Sequence, residues 1–143
     1  LLTTFRSRLE EKVAKQFVTL GVPYSYESEK VEYVVPQRTS KYIPDFILEK
    51  TDGGKMHIEA KGRFGVDGKG VARSSSAKQR QKLILVKEQN PHLDLRIVFQ
   101  NANTAIYKGS ATTYSKWAES HGFPWADKGT VPPSWIEEVK HDA

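Results

Sequence analysis

Asp45, Glu59 and Lys61 are the side chains whose types and spacing in this sequence most readily suggest chemistry. Glu59 and Lys61 stand two apart, so on a strand they share a face with His57, leaving Met56, Ile58 and Ala60 on the other. An acid and a base then project together from a stretch whose far side is apolar. The turn decides whether Asp45 joins them, and Thr51-Asp52-Gly53-Gly54 is hairpin chemistry. A three-residue loop over 52–54 sets Thr51 opposite Lys55 and Asp45 opposite Lys61, with Glu59 one diagonal step away. A two-residue loop turns Asp45 to the opposite face unless a bulge corrects the register.

Two carboxylates converging on one point repel each other unless a cation lies between them. Hard oxygen ligands in a chain without cysteine favour magnesium, with manganese as its substitute, over zinc. Such an ion acidifies a water and neutralises charge on a phosphate, while a neighbouring ammonium positions the attacking water or stabilises the transition state. Phosphodiester hydrolysis is the reaction these parts suit. The plain alternative is a surface hairpin carrying a cross-strand ion pair. His57 reads as a partly exposed strand residue, and Tyr107, Trp117, Trp125 and Trp135 as packing aromatics. No glycine-rich phosphate loop or serine–histidine triad stands out, so no nucleotide cofactor is expected.

The elements that must position these groups follow from periodicity. Phe5, Leu9, Val13, Phe17 and Leu20 recur at helical spacing before Gly21, and Ser7 with Glu10 fits a capping box. Residues 24–35 read as a strand, 37–41 as a polar connection, and 45–49 and 55–61 as the two arms of the hairpin. Residues 62–76 read as a mobile basic loop, followed by a helix from Ser76 to Asn90 with Lys78, Arg80, Lys82 and Lys87 on a basic side. Residues 95–99 are apolar enough for a central strand, 104–107 for a short one, and Thr112 or Thr113 caps a helix ending at Gly122. Pro132, Pro133 and Trp135 suggest a last turn. The expected fold is α/β or α+β, a mixed central sheet flanked by helices, in one domain spanning 1–143.

A net charge of +5 spread along the chain favours an anionic partner, nucleic acid ahead of a membrane surface. No apolar run approaches a membrane span and the first residues lack a signal-peptide pattern, so a cytoplasmic, unsecreted protein is expected.

Pro44-Asp45 followed by Glu59-Ala60-Lys61 resembles the PD-(D/E)xK nuclease signature. Phe5-Arg6-Ser7 with Leu9-Glu10, Tyr42-Ile43-Pro44-Asp45-Phe46, Arg96-Ile97-Val98-Phe99, Tyr107-Lys108-Gly109-Ser110 and Ala126-Asp127-Lys128 resemble the phage endonuclease I family of Holliday-junction resolvases, in the same order over nearly the whole chain. That resemblance implies a restriction-endonuclease-like core in a strand-exchanged homodimer that cuts four-way and other branched DNA in the cytoplasm of an infected host. It implies Asp45 and Glu59 as metal ligands, Lys61 as the catalytic lysine, and Glu10 as a further acidic ligand supplied by the partner subunit. The exchanged region would be 24–35 with 36–42. Two features depart from the family pattern: Arg8 stands where the family has a small residue, and the loop 62–76 looks longer than usual. Both add positive charge near the cleft, so Arg6, Arg8, Arg63, Lys69, Arg73, Lys78, Arg80 and Lys82 are the expected DNA contacts. The longer loop also keeps open a site-specific or nicking, homing-type endonuclease on duplex DNA. A non-catalytic DNA-binding protein on a nuclease fold is the remaining reading.

Overall fold

The computed structural model describes residues 4–35, 38–62 and 74–142. Ser7 opens the first helix by accepting the Glu10 amide at 3.1 Å, and α1 runs over Arg8–Leu20. Gly21 ends it in the left-handed region at φ 67, where the Val22 amide reaches back to the Phe17 carbonyl at 2.9 Å. Val13, Ala14 and Phe17 form its buried stripe.

Where one strand was expected over 24–35, the chain forms two. β1 (Ser25–Tyr26) pairs with the central sheet, and Glu27 at φ 50 then turns the backbone out of it. β2 (Val31–Val35) belongs to a separate two-stranded sheet with β3 (Arg38–Tyr42). The expected polar connection 37–41 is thus mostly strand. Its partner supplies the reason: Tyr33 of β2 is buried and Val31 partly so, and β3 completes the hydrogen bonding of that strand.

β4 (Phe46–Glu49) and β5 (Lys55–Lys61) are the arms of the expected hairpin, antiparallel with Phe46 opposite Ile58 and Glu49 opposite Lys55. The helix α2 (Ser74–Gln89) leads to β6 (Asp94–Phe99), which is central as expected and runs parallel to β5. α3 (Tyr114–Ser120) follows its Thr113 cap. Residues 104–107 form no strand, contributing only a bridge between Ala105 and Thr113. β7 (Trp125–Ala126), too short to be read from alternation, adds a parallel edge to β6, and α4 (Pro133–Ile136) buries Trp135. The order in the five-stranded mixed sheet is β1-β4-β5-β6-β7.

Two apolar layers hold this α+β fold. α1 and the C-terminal Trp135, Ile136 and Val139 cover Phe46, Leu48, Met56, Ile58 and Val98 on one face. Leu83 and Val86 of α2, Tyr114 and Trp117 of α3, and Tyr33 and Tyr42 of the hairpin cover Leu95, Ile97 and Phe99 on the other. No described helix is long and apolar enough to cross a membrane. At the start of β6 the Arg96 guanidinium forks onto Asp94 and Glu138 at 2.6–2.9 Å and lies over the Trp135 ring, tying the C-terminal turn to the sheet. Arg96 is buried, so truncating it leaves charge without its partner. Arg96→Ala is expected to lower unfolding free energy by about 3 kcal/mol in urea titrations, where a change under about 0.5 kcal/mol would show that packing alone seats the C-terminal turn.

Candidate active site

The turn between β4 and β5 fixes the face on which Asp45 stands. The Lys50 amide bonds the Gly54 carbonyl at 2.8 Å and the Gly53 amide bonds the Lys50 carbonyl at 3.1 Å, so the loop is Thr51-Asp52-Gly53. Gly53 at φ 92 supplies the left-handed residue of such a loop, and Asp52 Oδ1 accepts the Gly54 amide. Of the two loop lengths the sequence left open, the three-residue one forms, one residue earlier than 52–54. Its odd length keeps Asp45 on the face of Glu59 and Lys61, but continuing the observed register sets Asp45 opposite Glu59, not Lys61.

Asp45 Oδ2 accepts the Ala60 amide at 2.9 Å. Glu59 Oε2 lies 3.0 Å from Lys61 Nζ, and Glu59 Oε1 accepts the Tyr42 hydroxyl at 2.5 Å. Lys61 also reaches Gln79 of α2 at 3.4 Å. Glu10 enters from the first turn of α1. The expected capping box forms by half, because its carboxylate accepts the Arg6 amide and the Tyr26 hydroxyl and no bond to Ser7. Within the chain, an oxygen of Glu10 lies within 4.8 Å of one of Asp45.

Sequence reasoning missed Glu27. β1 pairs Tyr26 with Phe46, and the Glu27 amide bonds the Asp45 carbonyl at 3.1 Å, which carries the Glu27 side chain to the cleft. Oxygens of Glu10, Glu27 and Asp45 lie within 4.8 Å of one another, while Arg6 pairs with Glu27 at 3.1 Å. Only the long-range pairing of β1 with β4 brings Glu27 there, and no local spacing signals it. His57 does not join: it is buried, with Nδ1 3.2 Å from the Asp94 carbonyl and Nε2 3.6 Å from Glu29, away from these acids.

These groups line a cleft of about 300 Å³ at the carboxyl ends of the parallel strands. Its floor is acidic and withdrawn from water, with Glu10, Asp45 and Glu59 each less than a tenth exposed. Its rim is basic, with Arg6, Lys41 and Lys82 beside Gln79. Arg8 lines the neighbouring depression with Lys61 and Gln100. The expected basic side of α2 is divided, because Lys82 faces the cleft while Lys87 bonds the Gly122 carbonyl at 2.9 Å. Lys78 and Arg80 do not line the cleft. Arg63, Lys69, Arg73 and most of the 62–76 loop lie outside the described residues. Trp117 and Trp135 are packing aromatics as expected, whereas Tyr107 is exposed.

The sequence model of the phage endonuclease I family matches residues 2–143. The chain belongs to the phage endonuclease I family. It is 41% identical over 138 residues to Endonuclease I of Escherichia phage T7, covering 96% of this chain and 82% of that protein. It is 38% identical over 138 residues to Endodeoxyribonuclease 1 of Enterobacteria phage T3, covering 96% and 80%. In this endonuclease I family member, the electrostatics of the cleft are set by burial. Burial pushes the Asp45 carboxyl up to about 8, the charges of Glu59 and Glu10 push the same way, and the Ala60 amide and Lys61 only partly offset them. Burial alone pulls the Lys61 ammonium down, but Glu59, Asp45 and Glu10 together raise it, so it keeps its proton at neutral pH.

An unfolded chain releases the Asp45 proton at about pH 3.9, and the folded chain holds it to about 8. Across that window the folded state binds more protons, so stability falls as pH rises. Asp45→Asn removes this dependence. With a chelator present it is expected to melt roughly 5 °C above the wild type at pH 8, the gap closing toward pH 4; parallel melting curves across that range would contradict the elevated carboxyl.

Proposed function

We propose that the protein is a magnesium-dependent DNA endonuclease, hydrolysing phosphodiester bonds preferentially in four-way and other branched DNA, and acting as a homodimer. The observation that carries the chemistry is the floor of the cleft: Glu10, Asp45 and Glu59 are each less than a tenth exposed, and the Lys61 ammonium stands beside them, 3.0 Å from Glu59. Endonuclease and endodeoxyribonuclease are the names of the T7 and T3 relatives. The preference for branched DNA and the strand-exchanged dimer rest on the family resemblance.

The donor set fits the ion. Carboxylate oxygens of Glu10, Glu27 and Asp45 lie within 4.8 Å of one another, with Glu59 facing Asp45 across the hairpin and outside that cluster, and all are hard ligands. Bound there, magnesium would supply Lewis acidity, lowering the pKa of a water and offsetting charge on the scissile phosphate. The chain's own groups do the rest. Lys61, held 3.0 Å from Glu59, presents a protonated ammonium that orients the attacking water or balances charge on the phosphate oxygens. Arg6 and Lys82 on the rim take the flanking phosphates and hold the backbone over the acidic floor. A homodimer carries two such clefts, one for each strand it cuts.

Glu59→Gln is expected to reduce cleavage by a factor on the order of 10³ while four-way junction binding stays equal or tightens, since a negative charge facing phosphate is gone. A gel comparison of junction and linear duplex substrates, with and without magnesium or manganese, tests the whole reading. Preferred cutting of one linear sequence would reject branched DNA as substrate, and a wild type that cuts nothing with either metal would leave only a DNA-binding protein. In the Glu59→Gln background, replacing Arg6 and Lys82 with Ala should lower the salt dependence of junction binding by about 0.9 in log–log slope per lost contact; an unchanged slope would remove both from the interface.

A further inference from the structure

Each acid on the cleft floor has at least one donor that carries no charge, and Glu59 pairs in addition with the Lys61 ammonium through its other oxygen. Asp45 takes a backbone amide from Ala60, Glu59 takes the Tyr42 hydroxyl at 2.5 Å, and Glu10 takes the Tyr26 hydroxyl. The tyrosines come from β3 and β1, strands that contribute none of these three acids. Both rings are fixed by packing. Tyr42 is 2% exposed, lies in the core layer under α2, and has Lys82 Nζ 5.5 Å from its ring centre. Tyr26 packs edge-on against Phe5 at 4.6 Å and lies tilted against Phe46 at 5.4 Å. A hydroxyl on an immobile ring is a fixed point, and a carboxylate bonded to it loses freedom about its own torsions.

A neutral donor suits a carboxylate that has to receive a cation. A guanidinium in the same place would fix the carboxylate equally well but cancel the charge on which cation binding depends. A phenol O–H occupies one lone pair of one oxygen and leaves the charge and the remaining lone pairs for a ligand. Partners of this kind behind metal-binding side chains orient them and commonly change affinity by about 10–100-fold when removed.

We propose that Tyr42 and Tyr26 are positioning residues that preorganise Glu59 and Glu10 for a divalent cation, so that the β2–β3 hairpin and β1 tune the metal affinity of the cleft without touching the metal. The proposal rests on the metal reading above, and direct cation binding separates the two. Tyr42→Phe and Tyr26→Phe keep the ring packing and remove only the hydroxyl. Calorimetric titration of the full chain with manganese is expected to show each variant binding about tenfold more weakly than the wild type, with melting temperatures in chelator unchanged. Cleavage should follow the same split: the half-saturating manganese concentration rises about tenfold, and the rate at saturating manganese returns to within a few-fold of wild type. Equal manganese affinity in wild type and both variants overturns the assignment, as does an affinity loss that appears only with a matching fall in melting temperature. Should Tyr42→Phe fail to fold, Tyr26→Phe at the sheet edge carries the same test. A wild type that binds no manganese at all removes the metal reading, and the positioning role with it.

Discussion

Negative charge held out of water with too little counter-charge to balance it is the constraint on which this cleft depends. Glu10, Asp45 and Glu59 are nearly buried, Glu10 and Asp45 meet Glu27 within 4.8 Å, and the one Lys61 ammonium, paired with Glu59, does not balance them. Left to itself, such a group lowers its energy by retaining a proton, and Asp45 does so. The unfavourable charge arrangement is maintained because the acids sit on elements whose positions are set by apolar packing elsewhere: α1 by Val13 and Phe17, β4 by Phe46 and Leu48, β5 by Met56 and Ile58. The core on the far side of the sheet thus offsets strain that the cleft alone could not sustain.

The two ends of the sheet accordingly have different characters. At the carboxyl ends of β5 and β6, charge is concentrated and incompletely compensated. At the opposite end, Arg96 meets Asp94 and Glu138 in a closed set of hydrogen bonds that fastens the C-terminal turn, and Lys50 adds a further contact to Asp94 at 3.1 Å. Charges paired in this way secure the fold. Charges in the cleft, under a rim of Arg6, Lys41 and Lys82, are less fully paired, which is what the proposed binding of a cation and a phosphate backbone requires.

Much of this was legible in the sequence because it is local. Alternation in 55–61 placed Glu59 and Lys61 on one face, and an odd hairpin loop placed Asp45 with them; the one-residue offset of that loop changed the partner of Asp45 without changing its face. The first helix, its glycine stop, the central β6 and the Thr113 cap followed from periodicity and capping chemistry in the same way. What escaped depends on pairing between distant segments. Glu27 reaches the cleft only because β1 lies against β4, and residues 38–42 become a strand only because β2 offers them a partner. The two-residue β7 has no periodicity to detect, and the basic residues of α2 look alike in sequence although Lys82 faces the cleft and Lys87 bonds the Gly122 carbonyl beyond α3.

The central claim is that the acidic floor exists to hold a divalent cation. Crystals of the protein grown near pH 8, where Asp45 gives up its proton readily, can be soaked in manganese and examined by anomalous diffraction. The account predicts a strong peak at about 2.1 Å from an Asp45 oxygen and from an oxygen of Glu59 or Glu10. Manganese bound at exposed carboxylates elsewhere, with none between these side chains, would contradict it.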